Sequence, residues 1–277
     1  MNSSLVNQIA KRFIQRRDVK AVQLPDGSYA PDVKLHGKYD PVGFNRQHLE
    51  DHLSGLHTYG HYLLDSEDQT KLFAFDIDLE KTGAYCPMPN SLKLDPNITN
   101  EEFDKQYGPV ECNPREIWKD RSAVVARDWY KCQMGMLARK FCKVISDDLA
   151  LPCAAAYSGS KGIHVYGFTG TMPAIEVREA ALLVLDIMNE WEPHRGNNFY
   201  KHALDSPSLG YPSFTIEVFP KQNTLDGKSL GNLMRLPLGK NLKSFDPTFF
   251  IDLTTPVAEL KPHGNPAALL ESGDPWK

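Results

Sequence analysis

The sequence lacks the features that mark several large protein classes. Its five cysteines, Cys86, Cys112, Cys132, Cys142 and Cys153, are odd in number and contain no CxxC or CxH pair. That pattern argues against a disulfide framework and against structural zinc, so no zinc is expected. Long apolar runs are missing too. Stretches such as Ala180 to Leu185 fall far short of the ~20 residues needed to span a bilayer, so no membrane partner is expected. The opening residues MNSSLVNQIAKRFIQRR have no continuous apolar centre of the kind a secretory leader needs, and a cytoplasmic protein is expected. No GxxxxGK[ST] occurs, which excludes a P-loop ATPase or helicase. Neither sign of charge dominates, with 31 Lys and Arg against 35 Asp and Glu.

What is present is enough to build a core. The 277 residues are 41% apolar and 10% aromatic, which excludes wholesale disorder and suits one large domain or two closely joined modules. Charge is segregated. Residues 65–120 carry 13 acids and 6 bases, whereas residues 195–243 carry 7 bases and 3 acids. A second basic cluster, Lys11, Arg12, Arg16 and Arg17, lies near the N-terminus. Such clusters are either solvated surface or phosphate-binding surface.

Periodicity organises the chain. Leu5, Ile9 and Phe13 recur at steps of four and predict a helix over 4–15. Short strands are expected at Tyr62–Leu64 and Leu72–Leu79. Residues 82–121 then form a long segment rich in Pro, Asn and Gly. Thr99 and Glu102 have capping-box spacing, which predicts one short helix there. This segment begins close behind Asp78, so it can reach a site there; its Lys93, Lys105, Arg115 and Lys119 are possible phosphate partners. A long helix is predicted over 122–149, then strands Cys153–Tyr157 and Ile163–Phe168, and a helix from about Ala174 to Trp191. Residues 193–212 read as a loop, Phe214–Phe219 and Met234–Leu238 as strands, and 256–277 as a Pro/Gly-rich tail behind a single catalytic domain at 1–255. Strands interleaved with long helices indicate an α/β (α+β) fold.

Three segments carry chemistry. In Leu72–Leu79 the strand period puts Phe73, Phe75, Ile77 and Leu79 on one face and Ala74, Asp76 and Asp78 on the other. Two like charges at a strand end are either solvent-facing acids or a pair neutralised by a hard cation such as Mg²⁺. Strand Phe214–Phe219 offers a third carboxylate, Glu217, opposite the face of Phe214, Ile216 and Val218. A two-metal site needs several such oxygens held rigidly. Ser158-Gly159-Ser160-Lys161-Gly162 joins two strands, and its glycines, hydroxyls and lysine suit either a tight turn or an anion nest for a nucleoside triphosphate. His164 and Tyr166 share a face of the strand that follows.

In this order the segments resemble the archaeo-eukaryotic primase superfamily. Asp76-Ile77-Asp78 matches its DxD motif, Ser158 to Val165 its SGxKGxHV motif, and Ile216-Glu217-Val218 its acidic third motif. FPKQ at 219–222 and GNLMRLPLGKN at 231–241 resemble the primase-polymerases of plasmids, phages and CRISPR-associated systems. The resemblance runs from about Phe13 to Lys243. It implies an N-terminal αβ module packed on an RRM-like module with the site in the cleft between them. Asp76, Asp78 and Glu217 would be catalytic metal ligands for two Mg²⁺ or Mn²⁺ ions. Ser158, Gly159, Ser160, Lys161, Gly162 and His164 would hold the nucleotide, with Lys221 and Arg235 on its phosphates.

The implied activity is template-directed primer synthesis and extension, in replication of a mobile element or related system. The implied partners are a single-stranded DNA template, a primer strand and nucleoside triphosphates. The fused helicase and zinc module of longer relatives are not recognisable in this sequence, and a replicative helicase or fused module in a larger parent protein is a further partner the resemblance allows. Trp118, Trp129, Tyr130 and Phe199 are candidates for base stacking. Two alternatives stand beside this reading. One is a gap-filling repair polymerase like that of bacterial end-joining ligases, and the other is a catalytically silent nucleic-acid-binding module.

Overall fold

The alternation of residues 72–79 becomes the middle of a seven-stranded sheet. The computed structural model describes residues 3–33, 41–81, 83–85, 110–203, 211, 213–228, 230–256 and 259–276. The N-terminal half contributes α1 (Ser3–Phe13), β1 (Ala21–Gln23), β2 (Tyr29–Pro31), α2 (Arg46–Leu53), β3 (Tyr59–Tyr62) and β4 (Gln69–Leu79). The long segment contains β5 (Gly83–Tyr85), β6 (Val110–Cys112) and α3 (Pro114–Lys119). Next come α4 (Val124–Lys143), β7 (Cys153–Tyr157), β8 (Gly162–Pro173), α5 (Ala174–Met188), β9 (Trp191–Pro193) and β10 (Phe199–His202). The chain then forms β11 (Phe214–Phe219), β12 (Leu233–Arg235), β13 (Phe249–Phe250) and α6 (Pro266–Ser272).

The large sheet runs β13-β7-β8-β4-β11-β10-β9, and a four-stranded sheet runs β12-β3-β1-β2. Every pairing in both is antiparallel. One face of the large sheet is dry: Phe73, Phe75, Ile77 and Leu79 pack with Ile163, Val165 and Ile216 against α4 and α5. Tyr130, Met134, Leu137, Ala138 and Phe141 line the buried side of α4 at helical spacing. Phe75 meets Phe141 at 4.7 Å between ring centres. On the other face, Leu72, Ala74, Tyr166 and Phe168 pack with Phe13 of α1, Leu49 of α2 and Met234 of the small sheet. The fold is therefore a mixed α+β architecture of two antiparallel sheets and a two-stranded ribbon, β5-β6, with six helices among the described residues.

Several expectations shift. The helix read over 122–149 is α4 followed by a single π-helical stretch, Val144–Asp148. The helix read to Trp191 ends at Asn189, which adopts a left-handed conformation (φ 47°) while its N–H reaches the carbonyls of Leu185 and Asp186. Residues 193–212, read as a loop, hold β10, because a strand this short leaves little periodic signal. The segment after Pro256 is not merely a tail. Its α6 packs on α1, with Leu269 and Leu270 buried in the second core. The short helix expected near Thr99 lies outside the described residues. Among the described residues no helix is long and apolar enough to cross a membrane.

Candidate active site

Register collects the site. In β11 Glu217 stands directly opposite Asp76, and in β8 His164 stands opposite Asp76 from the other side. Residues directly opposed on antiparallel strands share a face, with Cβ atoms about 4.5–5.5 Å apart. Asp76 is thus flanked by one carboxylate and one imidazole, on the face away from α4 and α5. His164 Nε2 lies 3.4 Å from Asp76 Oδ1, and His164 Nδ1 lies 3.0 Å from the Tyr166 hydroxyl. With the Nε2 proton facing Asp76, Nδ1 accepts from Tyr166, whose phenol burial keeps protonated. Burial raises the Asp76 carboxyl, but the pull of His164, with that of Lys161 and Arg235, holds it below its ordinary value.

Asp78, two residues on, faces Gly162. A Cβ there would lie 2.1 Å from the Ile77 carbonyl oxygen and 2.3 Å from Asp78 Oδ1, so only glycine leaves room for this carboxylate. Lys161, the residue before it, pairs with Asp78. Burial lowers the Lys161 amine to about 8, against the opposing pull of Asp76. Lys221 pairs with Glu217 from just beyond the end of β11 and lies over the Phe219 ring at 4.7 Å. Burial pushes the Glu217 carboxyl up, and Lys221 partly offsets this.

The turn Ser158–Lys161 is anchored by the small sheet and the segment after it. Arg235 Nη2 donates to the Ser158 carbonyl, Asn241 Nδ2 donates to it at 3.4 Å, and Ser244 Oγ donates to the Gly159 carbonyl. Gly159 takes a left-handed conformation (φ 70°) under Asp246 and Thr248.

A cleft of about 820 Å³ lies between the sheets. Asp76, Asp78, Ser158, Ser160, Lys161, His164, Glu217, Lys221 and Arg235 all line it, and Gly159 and Gly162 shape its floor loop without lining it. A profile of the family described as the archaeo-eukaryotic primase domain of the TOTE conflict system matches residues 28–271. The chain belongs to that family. No curated protein matched it. Membership makes this a primase-type nucleotidyltransferase domain.

The chemistry of the primase domain's cleft suits hard divalent cations. Asp76 Oδ1 is buried and makes no well-formed hydrogen bond, the His164 imidazole approaching it only to 3.4 Å, so it keeps acceptor capacity at the centre of the carboxylates. The donor set is carboxylate oxygen, which is the set Mg²⁺ and Mn²⁺ take. Two lysines now neutralise Asp78 and Glu217, and among the described residues no three metal-binding side chains close around one point. The residues fit such ions once the flexible lysine stems turn away.

Sequence reasoning missed part of the wall. Gln23 and Tyr29 of the small sheet and Lys243 after β12 line the cleft, although their local sequences carry no catalytic signal, and Asn241, at the end of the 231–241 motif, joins them. Arg115, Trp118 and Lys119 bring α3 to the same wall. Arg115 Nε donates to the Leu79 carbonyl at 2.7 Å, which ties the long segment to the end of β4. Of the four stacking candidates only Trp118 lines the cleft. Tyr130 belongs to the core behind the sheet, and Phe199 lies beneath Lys221.

Proposed function

We infer that the domain builds nucleic-acid primers on a single-stranded DNA template and extends them. The observation that supports this most is the register that sets Glu217 and His164 on either side of Asp76 inside a cleft walled by cations. In this reading Asp76, Asp78 and Glu217 hold two divalent ions, Mg²⁺ or Mn²⁺, whose chemistry is to stabilise charge on the attacking and leaving oxygens. The chain's own residues do the rest. Lys161 and Lys221 exchange their carboxylate partners for nucleotide phosphates, and Arg235 adds a further charge from the opposite sheet. The Ser158–Gly162 turn presents backbone N–H groups and hydroxyls to the triphosphate. His164, fixed by Tyr166, orients toward the nucleotide from beside Asp76. A 3′-hydroxyl loses its proton to solvent as its oxygen bonds to the α-phosphorus, the bond from that phosphorus to the α–β bridging oxygen breaks, and pyrophosphate leaves. Positioning and charge neutralisation supply most of the acceleration. The setting we read from the family description is a conflict system rather than ordinary chromosome replication.

The test is an unprimed single-stranded template with labelled nucleotides of both sugar types, in Mg²⁺, in Mn²⁺ and with chelator. Dinucleotides and longer products that vanish with chelator support the reading. Extension of primed templates without initiation would favour gap filling, and no incorporation under any condition would overturn catalysis.

A further inference from the structure

The basic N-terminal cluster does not act as one surface. Arg12 turns inward, its Nε donating to the Leu270 carbonyl at 2.8 Å and its guanidinium lying over the Phe168 ring. Arg16 pairs with Asp18. Lys11 and Arg17 are left exposed, and among the described residues neither has an acidic partner. Both line a second pocket of about 540 Å³ between α1 and α2, which shares no residue with the catalytic cleft.

Two more cations meet them there. Lys71 donates to the carbonyls of Ile14 at 2.8 Å and Lys11 at 3.2 Å, which fixes its ammonium at the end of α1. Arg46 is held by Glu50 at 2.9 Å. The nearby acids are otherwise engaged, Glu50 by Arg46 and Asp65 by Gln15. Arg17 and Lys71 lie close enough that the Arg17 charge, after burial, lowers the Lys71 amine. Asp65 offsets only part of this, and like charges brought together are a site that an anion relieves. The floor has the opposite character: Ile14 and Leu49 are buried and Phe44 is half-buried, its ring edge-on to Tyr59. A free phosphate needs no apolar floor, and an apolar molecule needs no cations. A nucleotide uses both, and a pocket of this volume is in the range that holds one.

We propose that the pocket between α1 and α2 binds a phosphate-bearing nucleotide unit, with the phosphate on Lys11, Arg17 and Lys71 and the base or sugar against Phe44 and Ile14. The unit belongs either to a nucleic-acid strand or to a free nucleotide. No catalytic carboxylate takes part, so the site stands whether or not the catalytic reading does.

The experiment measures binding by the full chain without divalent ions, so that an inactive protein still reports. The probes are a labelled 12-nucleotide single strand and ATP. Lys11→Glu with Arg17→Glu is compared with Lys131→Glu with Lys143→Glu, which changes net charge equally on α4. If the strand occupies the pocket, the first pair weakens strand binding at least fivefold, and the slope of log affinity against log salt becomes shallower by about 0.7 for each phosphate no longer neutralised. If a free nucleotide occupies it, ATP binding falls at least fivefold and strand binding holds. Losses in both mean that strand and nucleotide share the pocket. Changes below twofold for both probes, or an equal loss in the α4 pair, overturn the proposal. Lys11→Ala with Arg17→Ala serves if charge reversal lowers the melting temperature, and must give the same salt-slope change.

Discussion

Strand β4 has two faces that share a backbone and little else. Phe73, Phe75, Ile77 and Leu79 are completely buried against α4 and α5, while one position away Asp76 and Asp78 open into the cleft. The dry face has aromatic contacts such as Phe75 on Phe141, and the wet face has an unsatisfied carboxylate oxygen and two lysines borrowed as counterions. The lesson is that the core is what holds the site. A strand pinned on one face by packing cannot relax to separate the carboxylates on the other, so their mutual repulsion is retained for a cation to relieve.

The largest effect should come from the wet face and leave the dry one untouched. Asp76→Asn and Glu217→Gln should each lower nucleotide incorporation by at least about a thousandfold, on the order of 4 kcal/mol of transition-state stabilisation. Glu217→Gln should melt within a few degrees of the parent, since burial and Asp76 already disfavour its charge, whereas Asp76→Asn should lose modest stability, since His164, Lys161 and Arg235 favour that carboxylate's charged form. Thermal scans beside incorporation assays check this, and a large fall in melting temperature would mean the faces are not separable.

The reverse experiment is Phe75→Ala, which should cost about 3–5 kcal/mol of stability through the cavity it leaves. Urea titration measures the loss. Activity per folded molecule should persist if the dry face acts only by support.

Acid should attack a third region, the junction of α2 with the small sheet. His52 is buried and neutral, its Nδ1 accepting from the Tyr59 N–H at 3.1 Å and its Nε2 donating to the Pro237 carbonyl at 3.0 Å. Burial lowers its pKa to about 4, and that of the nearby buried His61 to about 3. The unfolded chain takes up these protons near pH 6.5 and the folded chain does not. The associated stability is therefore complete above pH 6.5 and is lost as pH falls from there through about 4, by a few kcal/mol in all. Denaturant midpoints at pH 7.5, 6 and 5 should fall in that order. His52→Gln should flatten the trend.

The smallest effect separates the cations from the carboxylates within the cleft. Lys161→Ala and Arg235→Ala should each weaken nucleoside triphosphate binding about tenfold, near 1.4 kcal/mol, and leave single-strand binding unchanged. Separate titrations of the two ligands decide this. Equal losses for both would assign these residues to the template path.

Much of the site was legible because its motifs are local. The period of two put Asp76 and Asp78 on one face, Glu217 on another strand's polar face, and His164 beside Tyr166, and each of those placements depends only on neighbours in sequence. The fold's long helices were legible for the same reason. What escaped was structure that depends on distant partners. Strand β10 is only four residues long and forms because β11 and β9 receive it on either side, and α6 is a helix of seven residues held by packing on α1. The two halves of the basic cluster could not be told apart in sequence, since Arg12 is claimed by the carbonyl of Leu270, far along the chain.

The sequence alone therefore determined which side chains stand together on each strand. Only the tertiary structure decided which strands are neighbours. The pairing of β4 with both β8 and β11 turned separate motifs into one flanked carboxylate, because the register between strands is set by burial of both faces across the whole sheet. It also decided that Gln23, Tyr29 and Arg235 of the small sheet form the opposite wall. A cleft is a relation between two packed surfaces, and no local pattern of residues encodes it.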